Sequence, residues 1–136
     1  MTNVYHANGG KKTVVIKNQA TGAELLVSGN NRWYLHQIGD SIWFRFANQQ
    51  NGSGIDHWYG REIRAGEPGS AHNNHLWTLI VIEMKGNDYY FNIRNDATGR
   101  CLDHYYGKMD GGRPVLSTAG TPSRHINHLW RLDDWQ

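Results

Sequence analysis

One segment of this chain occurs twice, and this duplication restricts the folds that the chain can adopt. The first copy occupies residues 48–77 and the second occupies residues 95–130. Each copy opens on an asparagine, passes through a turn glycine to Asp-His-aromatic-Tyr-Gly, and closes on His-x-Asn-His-Leu-Trp. Two motifs that recur together in the same order are far harder to obtain by chance than one, so they indicate a fold built from repeated units.

A weaker third copy lies upstream of the other two. Residues 18–22, Asn-Gln-Ala-Thr-Gly, match residues 95–99, Asn-Asp-Ala-Thr-Gly, and Trp33 stands where the other copies close. Leu26 occupies the position of the repeated aspartate, and very little chain separates the two motifs. We therefore predict three pseudo-repeats in one domain spanning residues 1–136, the first of them degenerate.

The composition and the local patterns favour short β-strands. Sixteen glycines, six tryptophans and seven tyrosines suit pleated surfaces joined by tight turns. Runs of β-branched and aromatic residues bounded by turn residues predict strands at 13–16, 24–27, 33–35, 42–46, 76–82, 89–93, 101–102, 114–116 and 129–132. No segment has convincing helical periodicity. The spacing predicts about eleven strands in an all-β fold, whose three units close on one another and so remove exposed sheet edges.

Charge, cysteine content and hydropathy argue against several classes of partner. The formal net charge is +2, from 14 basic and 12 acidic residues, and the sequence lacks the basic stripe of nucleic-acid-binding proteins. Cys101 is the single cysteine, so no disulfide can form within the chain. No apolar run could span a membrane, and residues 1–12 are polar, unlike a signal peptide. We expect a cytoplasmic protein that does not insert into membranes; a mature secreted chain is the alternative.

Pairs of histidines invite comparison with metal sites. His72-x-x-His75 and His125-x-x-His128 each place two histidines three residues apart. Zinc sites need about four ligands, or three with an open position, and neither pair has a cysteine cluster or an H-E-x-x-H motif beside it. No nucleophile motif or paired-carboxylate motif stands out either. We therefore expect no metal, no cofactor and no enzymatic activity.

The turn motif and the closing motif resemble those of the ricin-B, or Q-x-W, lectin family. Residues 98–103 read Thr-Gly-Arg-Cys-Leu-Asp and residues 127–130 read Asn-His-Leu-Trp, where the family has a Thr-Gly turn, Cys-Leu-Asp and Asn-Gln-x-Trp. The likeness extends from Thr13 to the end of the chain, and its context is most similar to the single-domain lectins of mushrooms. It implies a β-trefoil with up to three shallow sugar sites, one in each repeat.

The resemblance also implies which residues contact a sugar. In the family, the ligands are the aspartate that follows the turn and the asparagine that opens the closing motif. They correspond here to Asp56 and Asn74 in the second repeat and to Asp103 and Asn127 in the third. The closing tryptophan of the family is structural, which implies core roles for Trp33, Trp77 and Trp130. The glutamine that orients the family's site is replaced by His75 and His128.

Aromatic residues follow each aspartate and offer a surface for stacking. The two motifs are Asp-His57-Trp58-Tyr59 and Asp-His104-Tyr105-Tyr106. Because residues i and i+2 share one side of a strand, we predict Trp58 and Tyr105 as the platforms. Tyr59 and Tyr106 are core residues or secondary contacts, and His57 and His104 are further candidate contacts. Structural roles stay open as well: turn formation for the aspartates and asparagines, and core packing for the aromatic residues.

These residue types suit a carbohydrate. A sugar presents hydroxyl groups that donate and accept hydrogen bonds, together with an apolar C–H face that packs against a ring. An ionised aspartate accepts two hydroxyl hydrogen bonds, and an asparagine amide both donates and accepts. Histidine in place of the glutamine would make binding sensitive to pH. We predict a lectin for glycans of the galactose, N-acetylgalactosamine or N-acetylglucosamine type, with sites in the second and third repeats.

The alternative function is a protease inhibitor or another protein-binding module on the same fold, because fold alone does not fix function. Such a protein would act through an exposed loop, for which residues 60–73 and 107–123 are the candidates. The repeated aspartate and asparagine favour the lectin, because an inhibitory loop has no reason to be duplicated with them. The sequence leaves the oligomeric state open, a homodimer included.

Overall fold

The computed structural model describes residues 13–133, which form short strands joined by tight turns. Residues 1–12, on which the signal-peptide expectation rests, lie outside the described residues. The strands are Val15–Asn18 (β1), Trp33–Gln37 (β2), Phe44–Asn48 (β3), Gly54–Trp58 (β4), Glu62–Gly66 (β5), Trp77–Lys85 (β6), Asp88–Asn95 (β7), Cys101–Asp110 (β8), Arg113–Ala119 (β9) and Trp130–Asp133 (β10). The helical elements of this part are two 3-10 turns, Asn73–His75 (η1) and Ile126–His128 (η2). Within it, no helix is long and apolar enough to cross a membrane.

Six of the strands form a closed barrel. They are hydrogen-bonded in the antiparallel order β1-β10-β7-β6-β3-β2. Val14 and Trp33 close the ring, because the amide of each donates to the carbonyl of the other at 3.0 Å. Closure pairs the outer strands of the sheet with each other and so removes the unpaired edges that an open sheet would present.

Hairpins complete the second and third repeats. Strand β4 pairs with β5 in the second repeat, and β8 pairs with β9 in the third. The first repeat contributes only residues 24–27 at this place, attached by a bridge between Lys17 and Glu24. The fold is therefore a β-trefoil with three repeats, the first of which is degenerate, and the predicted fold class is confirmed.

Two details differ from the sequence prediction. The described residues form ten strands rather than about eleven. Residues 24–27 make an isolated bridge instead of a strand, and β4 and β5 lie outside the nine predicted runs. Strands occupy parts of the loops considered for an inhibitor: β5 covers residues 62–66 of the loop 60–73, and the end of β8 together with β9 covers most of the loop 107–123. Their backbone hydrogen bonds to β4 and β8 hold these segments in hairpins.

The tryptophan that closes each repeat holds the same place in all three. Trp33, Trp77 and Trp130 are fully buried. The indole N–H groups donate to the carbonyls of Leu25 (2.9 Å), Ile55 (2.9 Å) and Leu102 (3.1 Å), respectively. The predicted core role of these tryptophans is confirmed. Because Ile55 and Leu102 directly precede the two repeated aspartates, the same hydrogen bonds fix the strands that carry them.

The asparagine that opens each repeat joins it to the repeat before. Its side-chain amide donates to the backbone carbonyl of the asparagine in the neighbour's closing motif. The three bonds run from Asn18 to Asn127 (2.9 Å), from Asn48 to Asn30 (2.7 Å) and from Asn95 to Asn74 (3.0 Å). Its Oδ1 accepts N–H groups of the following turn, as in an Asx-turn. These bonds fix the backbone of the closing-motif asparagines beside each candidate site.

Candidate functional site

Two open cavities lie at equivalent positions in the second and third repeats. Their volumes are about 470 Å³ and about 320 Å³. The second-repeat cavity is lined by Asp56, Trp58, Tyr59, His72, Asn74 and His75, together with residues of β5. The third-repeat cavity is lined by Asp103, Tyr105, Tyr106, His125, Asn127 and His128. The structure thus brings together all of the predicted site residues except His57 and His104.

An aspartate and a histidine face each other in each cavity. Asp56 Oδ1 lies 3.2 Å from His75 Nε2, and Asp103 Oδ1 lies 3.5 Å from His128 Nε2. The hairpin strand supplies the aspartate and the 3-10 turn supplies the histidine. Each imidazole nitrogen thus approaches one carboxylate oxygen without a well-formed hydrogen bond, and the other oxygen keeps its lone pairs for a ligand.

The support behind the histidine differs between the two repeats. His128 Nδ1 lies 2.6 Å from the hydroxyl of Ser123, which completes the imidazole's hydrogen bonding. In the second repeat, His75 Nδ1 is buried and has no hydrogen-bond partner among the described residues. The same holds for Oδ1 of Asp56, a residue that is only 3% exposed. Buried polar atoms in proteins are nearly always paired, so these two atoms are exceptions beside the second-repeat cavity.

Burial dominates the titration of the third-repeat pair. It raises the pKa of Asp103 above the usual aspartate value, against the opposing effect of His128, His125 and His104. Burial also lowers the pKa of His128, more strongly than the Asp103 charge raises it. The imidazole is therefore mainly neutral at pH 7, and it faces Asp103 as a neutral group rather than as a cation.

The closing-motif asparagines retain hydrogen-bonding capacity. Asn127 Nδ2 donates to the backbone carbonyl of His104 at 3.1 Å, which joins η2 to the strand beside Asp103. No described residue donates to Asn127 Oδ1, and the side chain of Asn74 has no hydrogen-bond partner in the described part of the chain. Both side chains line the cavities, so both can pair with a hydroxyl group there.

A tyrosine in an unusual backbone conformation stands at the rim of each cavity. Tyr59 and Tyr106 have φ values of 48° and 49°, a region that residues with a side chain rarely adopt. They are 75% and 78% exposed, and both line their cavities. They are therefore not core residues, one of the two roles that the sequence left open. A strained conformation with an exposed ring indicates a role in the site.

The predicted platforms, Trp58 and Tyr105, have less accessible rings. They are 38% and 40% exposed, and each packs edge-to-face against the tyrosine that follows it, with ring centroids 4.4 and 4.6 Å apart. Each ring also has a cation near its face. The Arg64 guanidinium lies 4.3 Å from the Trp58 ring centroid, and Lys108 Nζ lies 5.5 Å from that of Tyr105. The rings most open to a ligand are therefore those of Tyr59 and Tyr106, which the sequence offered only as core residues or secondary contacts and not as platforms. The recurring Tyr-Gly pair was the signal for them.

The structure places His57 and His104 outside the cavities, against the prediction. Both are buried, and because side chains alternate along a strand, each points away from the side of its neighbouring aspartate. His57 Nδ1 lies 3.0 Å from Thr98 Oγ1, and His104 Nδ1 lies 2.8 Å from Thr21 Oγ1. Each histidine therefore contacts the Thr-Gly turn of another repeat and joins the repeats instead of contacting a ligand.

The two cavities differ along the second strand of the hairpin. Asp56 pairs across the hairpin with Arg64, whereas Asp103 pairs with Ser117. Arg64 and Glu67 both line the second-repeat cavity. The described lining of the third-repeat cavity contains no residue of β9. The second cavity is thus the larger one, and it alone carries charged groups on this wall.

The first repeat offers a different surface. Leu26, at the position of the aspartates, lines an open groove of about 410 Å³ together with Val27, Ile63 and Leu116. This groove lies where a hairpin strand of the first repeat is missing, and it lacks the asparagine, histidine and tyrosine of the two cavities. Across the described residues, no group of three or more histidine, cysteine or acidic side chains is placed to hold a metal ion.

Comparison with known proteins defines the fold. No protein-family model matches the sequence, and no curated protein matches it. ThreeFoil, a designed three-fold symmetric protein, matches with a TM-score of 0.70 and 17% identity over 90% of this chain and 98% of its own. SeviL, solved with the asialo-GM1 saccharide, matches with a TM-score of 0.66 and 14% identity over 89% of this chain and 95% of its own.

A Polyporus squamosus lectin, solved with a human-type influenza-binding epitope, matches with a TM-score of 0.64 and 16% identity. The match covers 90% of this chain and 49% of that lectin. At such identities the likeness establishes the fold alone. The chain is a β-trefoil protein with two repeat-related cavities.

Proposed function

We propose that this protein is a lectin without enzymatic activity, which binds glycans through one site in the second repeat and one in the third. The observation that carries the proposal is the duplication of the site itself. The same aspartate, asparagine, histidine and exposed tyrosine surround two separate cavities. Hydrogen bonds between repeats explain why the core residues recur, but they give no reason for polar groups to recur around open cavities.

Each group has a function toward a sugar. The carboxylates of Asp56 and Asp103 accept hydrogen bonds from adjacent hydroxyls, and the asparagine amide completes the pairing. The exposed rings of Tyr59 and Tyr106 pack against the C–H face of the sugar. The sequence resemblance suggests galactose, N-acetylgalactosamine or N-acetylglucosamine as the bound sugar. Two shallow sites on one chain permit bivalent binding, which raises avidity for clustered glycans.

The shared chemistry of the cavities favours binding over catalysis. Glycoside hydrolysis usually needs two carboxylates that flank the scissile bond. The two cavities share one aspartate, and the second-repeat cavity adds Glu67, which has no counterpart in the lining of the third. Cys101 cannot supply a nucleophile, because burial raises the pKa of its thiol to about 11. The protein-binding alternative has less support, because hairpin hydrogen bonds hold most of residues 107–123 and residues 62–66 of the other candidate loop.

A glycan array tests the proposal with four forms of the full chain: the natural sequence, Asp56→Asn, Asp103→Asn and the double variant. Asparagine keeps the shape of the side chain and removes its charge. We expect each single variant to lose binding at one site and the double variant to lose binding altogether. Asp40→Asn is the matched control, because Asp40 is an exposed turn residue that lines neither cavity. Undiminished glycan binding by a folded double variant would refute the proposal.

A further inference from the structure

We infer that the second-repeat site selects glycans that carry an anionic group, a carboxylate or a sulfate, and that Arg64 contacts this group. The inference rests on the proposed function and specifies the ligand of one of its two sites. It follows from a comparison of the second-repeat site with the third-repeat site. The two sites share their aspartate, asparagine, histidine and tyrosine, and they differ on the wall formed by the second hairpin strand.

The difference is a substitution at equivalent positions. Asp56 and Asp103 occupy the same place in their repeats, and their cross-strand partners are Arg64 and Ser117. Directly opposite residues on a hairpin lie close together on one face of the sheet. Arg64 therefore belongs to the second-repeat site by register as well as by its position in the cavity wall, whereas the equivalent Ser117 does not line the third-repeat cavity.

The guanidinium of Arg64 is held in position by its neighbours, but its N–H donors are not used in hydrogen bonds to them. It lies over the ring of Trp58, which restricts where the long side chain can go. Its nearest acidic partner among the described residues is Glu62, at 3.9 Å, which is too far for a hydrogen bond. Its side chain is 47% exposed. A guanidinium held in place with unpaired N–H donors suits the planar, two-oxygen geometry of a carboxylate or a sulfate.

The cavity as a whole is not cationic. Asp56 and Glu67 also line it, so an anion is attracted only near Arg64. Asp56 faces His75 in the interior, where it meets the hydroxyls of the bound sugar. This separation of charge predicts that the sugar ring lies over Asp56 while its anionic substituent points outward to Arg64. Glu67→Gln removes an opposing charge and should strengthen the preference for acidic ligands.

Three matched glycans measure the preference: N-acetyllactosamine, its sialylated form and its 3-O-sulfated form. N-Acetyllactosamine contains both galactose and N-acetylglucosamine, so it covers the main sugar classes of the proposed function. In the Asp103→Asn background, which isolates the second-repeat site, we expect acidic forms to bind roughly five to ten times more tightly than the neutral form. The preference should fall as ionic strength rises.

Variants assign the effect to one residue. Arg64→Ser introduces the residue of the third repeat and should make the affinities for acidic and neutral glycans equal. Arg61→Ser should leave the preference for acidic glycans unchanged. Arg61 is the matched control, because it is an exposed arginine of the same hairpin that does not line the cavity. Conversely, Ser117→Arg in the Asp56→Asn background should create a preference for acidic glycans at the third-repeat site.

The outcomes separate the two proposals. A preference for either acidic glycan that Arg64→Ser removes supports the inference, and the preferred glycan identifies the anionic group. Equal binding of neutral and acidic glycans, or an unchanged ratio in Arg64→Ser, overturns the inference while the lectin function stands. A natural chain that binds no glycan on the array overturns the lectin function and this inference with it.

Discussion

The left-handed backbone conformation of Tyr106 leads to an unusual stability prediction. At most positions in a protein, glycine is less stabilising than alanine, because it loses more conformational freedom on folding. At position 106, where φ is 49°, we expect the opposite order. The comparison uses two variants, Tyr106→Gly and Tyr106→Ala, which lose the same ring. Their difference in unfolding free energy therefore reports on the backbone at this position and not on the ring.

The magnitude follows from two opposing contributions. A residue with a side chain in the left-handed region costs about 1–2 kcal/mol, and alanine keeps this cost while glycine relieves it. Glycine loses about 0.5–1 kcal/mol through its greater freedom in the unfolded chain. Tyr106→Gly should therefore be more stable than Tyr106→Ala by about 0.5–1 kcal/mol, which raises the melting temperature by about 2–4 °C at this chain length.

Urea unfolding followed by tryptophan fluorescence measures the difference. Met109 provides the control, because it is an exposed residue of the same strand with ordinary φ. There, glycine should be less stable than alanine by about 0.5–1 kcal/mol. A Tyr106→Gly variant no more stable than Tyr106→Ala would refute the argument from strain. If both variants bind glycans at the third-repeat site as tightly as the natural sequence does, the Tyr106 ring has no role in binding.

Four further predictions concern the titrating pair and two buried hydrogen bonds. Acidification should weaken glycan binding at the third-repeat site, because the raised pKa of Asp103 lets it accept a proton at a higher pH than an exposed aspartate does; a pH titration of binding with the second-repeat site silenced checks this. Because the pKa of His128 is lowered, the folded state binds fewer protons than the unfolded state just below the usual histidine pKa, so the unfolding free energy falls as the pH drops through that range. His128→Gln should reduce this fall, which urea titrations at a series of pH values measure. Thr98→Val should cost about 1–3 kcal/mol of unfolding free energy, because it leaves His57 Nδ1 buried without its partner, while glycan binding persists. Trp77→Phe should cost about 2–3 kcal/mol in the same assay, because it opens a cavity in the core and leaves a buried carbonyl without its indole donor.

The sequence alone predicted the repeated architecture and most of the residues that the two cavities share. Residues 48–77 and 95–130 match because each copy must make the same turn, fill the same core position and, on our proposal, bind the same kind of ligand. The closing tryptophans could be assigned to the core because a buried indole with a paired N–H is a strong constraint on sequence. The aspartates and asparagines recur, on our proposal, because both repeats bind the same kind of ligand, and the structure places them in the cavities.

The alternation of side chains also contained information that the sequence prediction did not use. The rule that selected Trp58 as a neighbour of Asp56 places His57 on the opposite face of the strand. Its partner there, Thr98, comes from a different repeat, and the sequence does not show which turn packs against which strand. The role of the histidine was therefore out of reach until the order of strands in the barrel was known.

The repeated aspartate, the core tryptophans and the degenerate first repeat were determined by the sequence, because each depends on residues close together in the chain. The tertiary structure alone decided the strained backbone of Tyr59 and Tyr106, the pairing of aspartate with histidine, and the presence of Arg64 in only one of two otherwise similar sites. These features depend on φ values and cross-strand registers, which are set by the closure of the whole barrel and not by local residue patterns.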